Sequence, residues 1–165
     1  MQRKTVIDSS QRLIPRAHFD GEAKDGKCAC GVCIYLSRDL HYYSIGMVAK
    51  GQIIKLRPWP FMDCLLSALF MDIDPINIYG DSIIIIDLVK GNHNIKNDNL
   101  SGWIGRIKSL WRPSQFPITH IKRGQNEQAD KLSKKGLQSS DEKWQLCISI
   151  DHFTCAIERF SMPGI

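Results

Sequence analysis

Three β-rich runs precede the first helical pattern, and this arrangement constrains the chain more than any other feature. Arg16 to Phe19 reads as a short strand ending at Asp20-Gly21. The turn-rich stretch Lys24-Asp25-Gly26-Lys27 separates it from Gly31-Val32-Cys33-Ile34-Tyr35-Leu36. Ser37-Arg38-Asp39 makes a second turn, and Leu40 to Val48 continues as a third strand. Two turns between three such runs describe an antiparallel meander.

The remainder alternates helix and strand. Pro58 and Pro60 forbid a helix interior, but proline is tolerated in a first turn. Phe61 to Asp72 then carries Phe61, Leu65, Ala68, Leu69 and Met71 at helical spacing. Ile76-Asn77-Ile78-Tyr79 alternates as a fourth strand. Asp81-Ser82 reads as an N-cap opening a short apolar helix through Val89 that stops at Gly91. Leu100, Trp103, Ile104, Ile107, Leu110 and Trp111 share one helical face until Pro113. Ile118-Thr119-His120-Ile121 is a fifth strand, and Asn126 opens a last helix to Lys135, closed by Gly136. The order βββ-α-β-α-α-β-α predicts an α/β fold: a mixed five-stranded sheet, three antiparallel strands then parallel ones, with helices on both faces. Residues 1–15 read as a lead-in, 16–137 as the domain and 138–165 as a C-terminal extension. Within that extension Trp144 to Ile150 has strand character but no assigned partner.

A chain of 165 residues suits one domain. With 43% hydrophobic and 24% charged residues it reads as a soluble globular chain that can bury a core, not a disordered one. The net charge of +5 permits a polyanionic partner without requiring one. The isoleucine run Ile83 to Ile86, like the other apolar runs, is far below the ~20 residues that span a bilayer. Met1 to Asp8 lacks the apolar stretch of a secretory signal. The expectation is an intracellular protein, nuclear or cytoplasmic, not secreted and without a membrane partner. Six cysteines are then expected to be reduced. Cys28-Ala29-Cys30-Gly31-Val32-Cys33 invites a zinc reading, but Cys64, Cys147 and Cys155 are scattered and supply no second pair. The cluster reads instead as small residues buried or half-buried in a strand and its preceding turn.

Three carboxylates stand at strand ends or helix starts. Asp20 ends the first strand, Asp81 follows the fourth, and Asp130 lies on the last helix. If the first and fourth strands are neighbours, Asp20 and Asp81 approach at their carboxyl ends, where open α/β sheets bind ligands. Each alone has an ordinary explanation: an Asp-Gly turn, a helix cap, a solvated helix surface. Together they would repel unless protonated or bound to a hard divalent cation such as magnesium or manganese.

Phe19-Asp20-Gly21, Tyr79-Gly80-Asp81-Ser82 and His120-Ile121-Lys122-Arg123-Gly124-Gln125-Asn126-Glu127-Gln128-Ala129-Asp130-Lys131-Leu132-Ser133 closely resemble the motifs of type 1 ribonuclease H. The ADKLSKKGL ending looks most like the plant reverse-transcriptase-like branch, found in retroelement polyproteins and stand-alone plant genes. The resemblance runs from about Arg16 to Leu137 and implies the ribonuclease H-like fold. It further implies two Mg2+ (or Mn2+) ions and endonucleolytic hydrolysis of the RNA strand of an RNA–DNA hybrid, leaving 5′-phosphate and 3′-hydroxyl ends. The chain would act as a monomer or as one segment of a retroelement polyprotein. Three of the family's four acidic ligands carry over to Asp20, Asp81 and Asp130.

The fourth ligand, a glutamate on the first helix, does not carry over. Gap-free reading places Arg57 there, a swap of charge sign worth several kcal/mol at about 4 Å. Asp63 is a possible substitute metal ligand, although about 100° of helix turn per residue aims it elsewhere. Glu22 is a weaker candidate and reads as a solvated turn residue. His120 stands where resembling enzymes place a histidine that aids proton transfer or product release, or is simply a strand residue. Asn126 and Glu127 match the pair before the last aspartate and read as a helix cap. Ser82 and Asp87 are shared with the branch, with cap and helix surface as their ordinary roles.

Lys122, Arg123, Asn126 and Lys131 are the candidate nucleic-acid contacts, with Lys134 and Lys135 nearby. Arg106, Lys108 and Arg112 form a second basic group that a solvated helix face explains equally well. The alternative to an enzyme is a non-catalytic nucleic-acid-binding domain of the same fold, which the loss of the glutamate favours.

Overall fold

The computed structural model describes residues 15–24, 26–37, 40–49, 59–91, 105–138, 143–150 and 153–161. Strands β1 (Arg16–Lys24), β2 (Lys27–Tyr35) and β3 (Leu40–Ala49) form the meander. Helix α1 (Trp59–Phe70), strand β4 (Asn77–Gly80) and helix α2 (Ile83–Lys90) follow. A helical run over 105–110, here α3, leads to β5 (Ile118–His120), a 3-10 turn (Arg123–Gln125) and α4 (Glu127–Leu137). Strands β6 (Lys143–Ile150) and β7 (Phe153–Ser161) close the described chain.

All seven strands form one sheet in the order β5-β4-β1-β2-β3-β6-β7. The five expected strands are present, with β1, β2 and β3 antiparallel and β1, β4 and β5 parallel. The extension goes beyond expectation. β6 pairs antiparallel with β3 and β7 with β6, so the tail widens the sheet past the edge that β3 would otherwise expose.

Helices cover both faces. Strand β2 is buried from Cys28 to Ile34, the continuous apolar pattern of a strand covered on both sides. Phe19, Cys30, Val32 and Ile34 face a core shared with Phe61, Leu65 and Ala68 of α1, Ile85, Ile86 and Val89 of α2, and Ile107 of α3. Each fully buried Leu, Ile or Phe there contributes about 1.5–3 kcal/mol. Helix α4 alone covers the described part of the opposite face. It sits so close that a Cβ on Gly31 would lie 2.5 Å from the Ser133 nitrogen and 2.6 Å from the Ala129 carbonyl oxygen. Only a glycine lets helix backbone and strand approach this way.

Several boundaries differ from the sequence reading. Asp20-Gly21 does not end β1, because pairing with β2 continues to Lys24↔Lys27. Helix α1 runs from Trp59 to Phe70 rather than from Phe61 to Asp72, with Pro60 in its first turn and Asp72 at positive φ. The Asp81-Ser82 cap and the stop at Gly91 are as expected: Ser82 caps α2 by accepting from the Ile85 N–H, and Gly91 closes it in the left-handed conformation. Helix α4 continues through Gly136 to Leu137, and Asn126 makes no side-chain cap. Cys28, Cys30 and Cys33 all lie within β2 and are buried. No helix among the described residues is long and apolar enough to cross a membrane.

Candidate carboxylate cleft and nucleic-acid face

Parallel pairing of β1 with β4 ends at Phe19↔Gly80, so Asp20 and Asp81 each stand one residue beyond the last pair. Gly80 makes this register possible, since a Cβ there would lie 2.3 Å from the Phe19 ring. A cleft of about 250 Å³ opens at this end of the sheet, lined among others by Asp20, Asp81, Ser82, Cys28, Cys30 and Pro60.

Asp20 pairs with Gly31 and therefore projects toward α4, where Asp130 lies near the start of the helix. Burial first, then the Asp81 charge, push the Asp20 carboxyl up to about 7, and contact with Asp130 adds to the rise. The Gly21 N–H, donating to Asp20 Oδ1 at 2.8 Å, opposes it. Asp130 moves the other way. The Lys134 ammonium beside it holds its carboxyl low, with further help from the Asp20 contact and Arg123. Lys134 Nζ lies 2.9 Å from Asp130 Oδ2 and Arg123 Nη2 lies 3.9 Å from Oδ1. Asp130 Oδ1 is buried and receives no fixed N–H or O–H donor. The carboxyl that meets Asp130 is Asp20, the one readiest to keep a proton near neutrality. Asp20 is thus the hub, touched electrostatically by both other aspartates.

Asp63 does not join them. Its carboxylate is buried and accepts from Ser44 at 2.9 and 3.1 Å and from Ser67 at 3.3 Å. Ser44 pairs with Val32, and Val32 with Phe19, so Asp63 lies on the Phe19 face, opposite Asp20. Burial pushes Asp63 up to about 7 despite those hydroxyls. Arg57 lies outside the described residues; the α1 residue lining the cleft is Pro60, whose Cγ would stand 2.9 Å from a Cβ on Gly21. Glu22 continues β1, lines the same cleft and acts on Lys134, so it is not a turn residue. Among the described residues no three His, Cys, Asp or Glu side chains gather closely enough to hold one metal ion. The described residues as placed do not form the donor set for the pair of divalent ions that the resemblance implies.

His120 is exposed on β5 with Nε2 3.2 Å from the Asp81 carbonyl oxygen, to which an Nε2–H would donate. Lys122, Arg123, Lys131, Lys134 and Lys135 are exposed along the 3-10 turn and α4. Asn126 is not exposed. Its Nδ2 donates to the Phe19 carbonyl at 3.0 Å and its Oδ1 meets His18 Nδ1 at 3.1 Å. It ties α4 to β1, so its expected contact with nucleic acid gives way to an internal one. Arg106, Lys108 and Arg112 are exposed on or beside α3, across the sheet from α4, so the two basic groups do not merge.

The sequence reading missed His18. It stacks on Tyr79 at 5.2 Å and meets Tyr35 edge-on at 5.9 Å. His18 and these two neighbours come from three strands, and only the strand pairing brings them together.

Comparisons with known proteins bear on the fold. A family described as reverse transcriptase-like matches residues 59–136. No curated protein matches. Among solved structures, ribonuclease H1 from the halophilic archaeon Halobacterium salinarum NRC-1 superposes with a TM-score of 0.64 at 22% identity, over 74% of this chain and 96% of that one. The N-terminal ribonuclease H domain of a Mycobacterium tuberculosis protein gives 0.62 at 16% identity, over 74% and 92%. The LC11 ribonuclease H1, solved in complex with an RNA/DNA hybrid, gives 0.62 at 19% identity, over 75% and 99%. The chain has a ribonuclease H fold.

Proposed function

We propose that this chain is a nucleic-acid-binding domain of ribonuclease H fold that grips an RNA–DNA hybrid and has lost, or nearly lost, hydrolysis of the RNA strand. The lining of the cleft carries this reading. Asp20, Glu22 and Asp81 share the cleft with Pro60 of α1, which brings no carboxylate from that helix, while Asp130 is ion-paired with Lys134. Two divalent ions bring four positive charges and strict oxygen coordination. Asp130 is ion-paired and Asp20 is prone to protonation, so even with Glu22 beside them the charge left for two such ions is reduced.

The hybrid as ligand is drawn from the likeness to a ribonuclease H1 solved on one. The exposed cations of the 3-10 turn and α4 support it, because they can follow a phosphate backbone without reading sequence. Retroelement descent and the plant branch rest on the ADKLSKKGL resemblance alone. The domain is taken as 16–137, with 138–165 as an extension that adds two strands to its sheet.

Fluorescence anisotropy with blunt labelled duplexes tests the reading. Hybrid should bind more tightly than DNA duplex of the same sequence, and equal affinity for both refutes hybrid recognition. A second reading, retained hydrolysis, is favoured by the contact of Asp20 with both Asp81 and Asp130. It requires cleavage that Asp81→Asn abolishes. The decayed-site reading instead expects cleavage only once Arg57→Glu restores the missing acid.

A further inference from the structure

Beside the carboxylates lies a second cavity of about 190 Å³, lined by Arg16, His18, Tyr35, Gln125, Asn126 and Gln128. It flanks the start of α4, and His18 sits two residues before Asp20 on the same face of β1, a separation of roughly 6.6 Å along a strand. Neither the carboxylate cleft nor the exposed lysines include it.

Its walls combine three kinds of group. The Arg16 guanidinium lies 4.6 Å over the Tyr35 ring, which holds its plane in place and leaves its N–H groups for an anion. The His18 ring is fixed between Tyr79 and Tyr35, and Asn126 occupies its Nδ1, leaving Nε2 for a ligand. Gln125 and Gln128 are exposed, and Gln125 Oε1 accepts from the Lys122 N–H at 3.3 Å, a bond that does not use its amide donors. Arginine for phosphate, with a fixed ring nitrogen and neutral amides for a base edge, is how proteins hold unpaired nucleotides. The volume falls below the roughly 300 Å³ at which small-molecule sites begin, so it suits one unit of a longer ligand.

We infer that this cavity is a subsite for a single unpaired nucleotide flanking the hybrid, with Arg16 on its phosphate and His18, Gln125 and Gln128 around its base. The inference rests on the hybrid-binding reading for its context, because paired bases inside a duplex cannot enter. It makes the preferred ligand a hybrid with a single-stranded extension.

The test measures affinities of the full chain by anisotropy for a blunt hybrid, for the same hybrid with a four-nucleotide RNA or DNA extension at either end, and for a single-stranded RNA oligonucleotide. An extension on one end should tighten binding about five-fold or more, in line with the net worth of one charge-assisted hydrogen bond to phosphate. The RNA and DNA arms show which strand supplies the nucleotide. Gln128→Ala and Arg16→Ala should each remove the gain, while Gln128→Ala leaves blunt-hybrid affinity within two-fold. No gain from any extension, or a gain that survives both substitutions, overturns the subsite even if the blunt hybrid binds. Should the blunt hybrid fail to bind while the single strand binds in a Gln128-dependent manner, the subsite stands and the hybrid reading falls.

Discussion

Lys134 and Asp130 form an ion pair of 2.9 Å one helical turn apart on α4, so a carboxylate of the candidate site carries its own counter-cation. The pair explains why Asp130 and Asp20 diverge in proton affinity although they touch: Lys134 holds one low while burial lifts the other.

Removing that cation should reverse the divergence. In Lys134→Met the Asp130 carboxyl loses its strongest stabilising partner, so its pKa rises toward or above the ordinary carboxylate value. Carbon-detected NMR titration of Asp130 measures this directly. An unchanged Asp130 titration would mean that the helix start, rather than Lys134, holds the charge.

The exposed lysines should act as phosphate contacts and nothing more. Lys131→Ala is expected to flatten the slope of log K against log salt by about 0.9 on duplex and to weaken hybrids of different sequence alike. Anisotropy across a salt series checks both. A loss confined to one sequence would assign Lys131 a reading role instead.

Gly31 carries the approach of α4. A methyl group there would stand within 2.6 Å of helix backbone at two points, and backbone cannot swing aside as a side chain can. Gly31→Ala should destabilise the fold by about 1–3 kcal/mol and displace Asp130 from Asp20. Urea unfolding gives the first quantity. The second appears as a lowered Asp20 pKa, since one of its raising contacts is lost.

Buried Asp63 should make stability depend on pH. Its folded pKa of about 7 exceeds the unfolded value, so the folded chain binds the proton more tightly. That contribution is complete below about pH 4 and is lost as pH rises through about 7, a swing on the order of a few kcal/mol. Asp63→Asn keeps acceptors for Ser44 and Ser67 but removes the titration, so it should gain stability relative to wild type above pH 7. Denaturant midpoints from pH 4 to 8 test the sign; a parallel pH profile in both proteins refutes it.

The meander and three aspartates were legible because turns and strand-to-helix junctions are written locally. Gly80-Asp81-Ser82 shows this best: glycine admits the Phe19 ring, and serine caps the helix. What escaped is non-local. Asp20-Gly21 has turn composition, but nine paired residues of β2 keep it in a strand. Asn126 has the composition of a cap, but the Phe19 carbonyl, distant in sequence, claims its amide. Asp63 could be set aside only once the register put Ser44 and Phe19 on one face. Strand character in β6 was visible from alternation, whereas its partner β3 was not, because register carries no mark in a single strand.

Hybrid labelled on its RNA strand, incubated with the wild-type chain in Mg2+ and then Mn2+, tests the central claim most directly. Binding should retard the duplex at protein concentrations where the RNA strand stays intact. Efficient RNA cleavage, abolished by Asp81→Asn, would show instead that Asp20, Asp81 and Asp130 sustain hydrolysis without the missing acid.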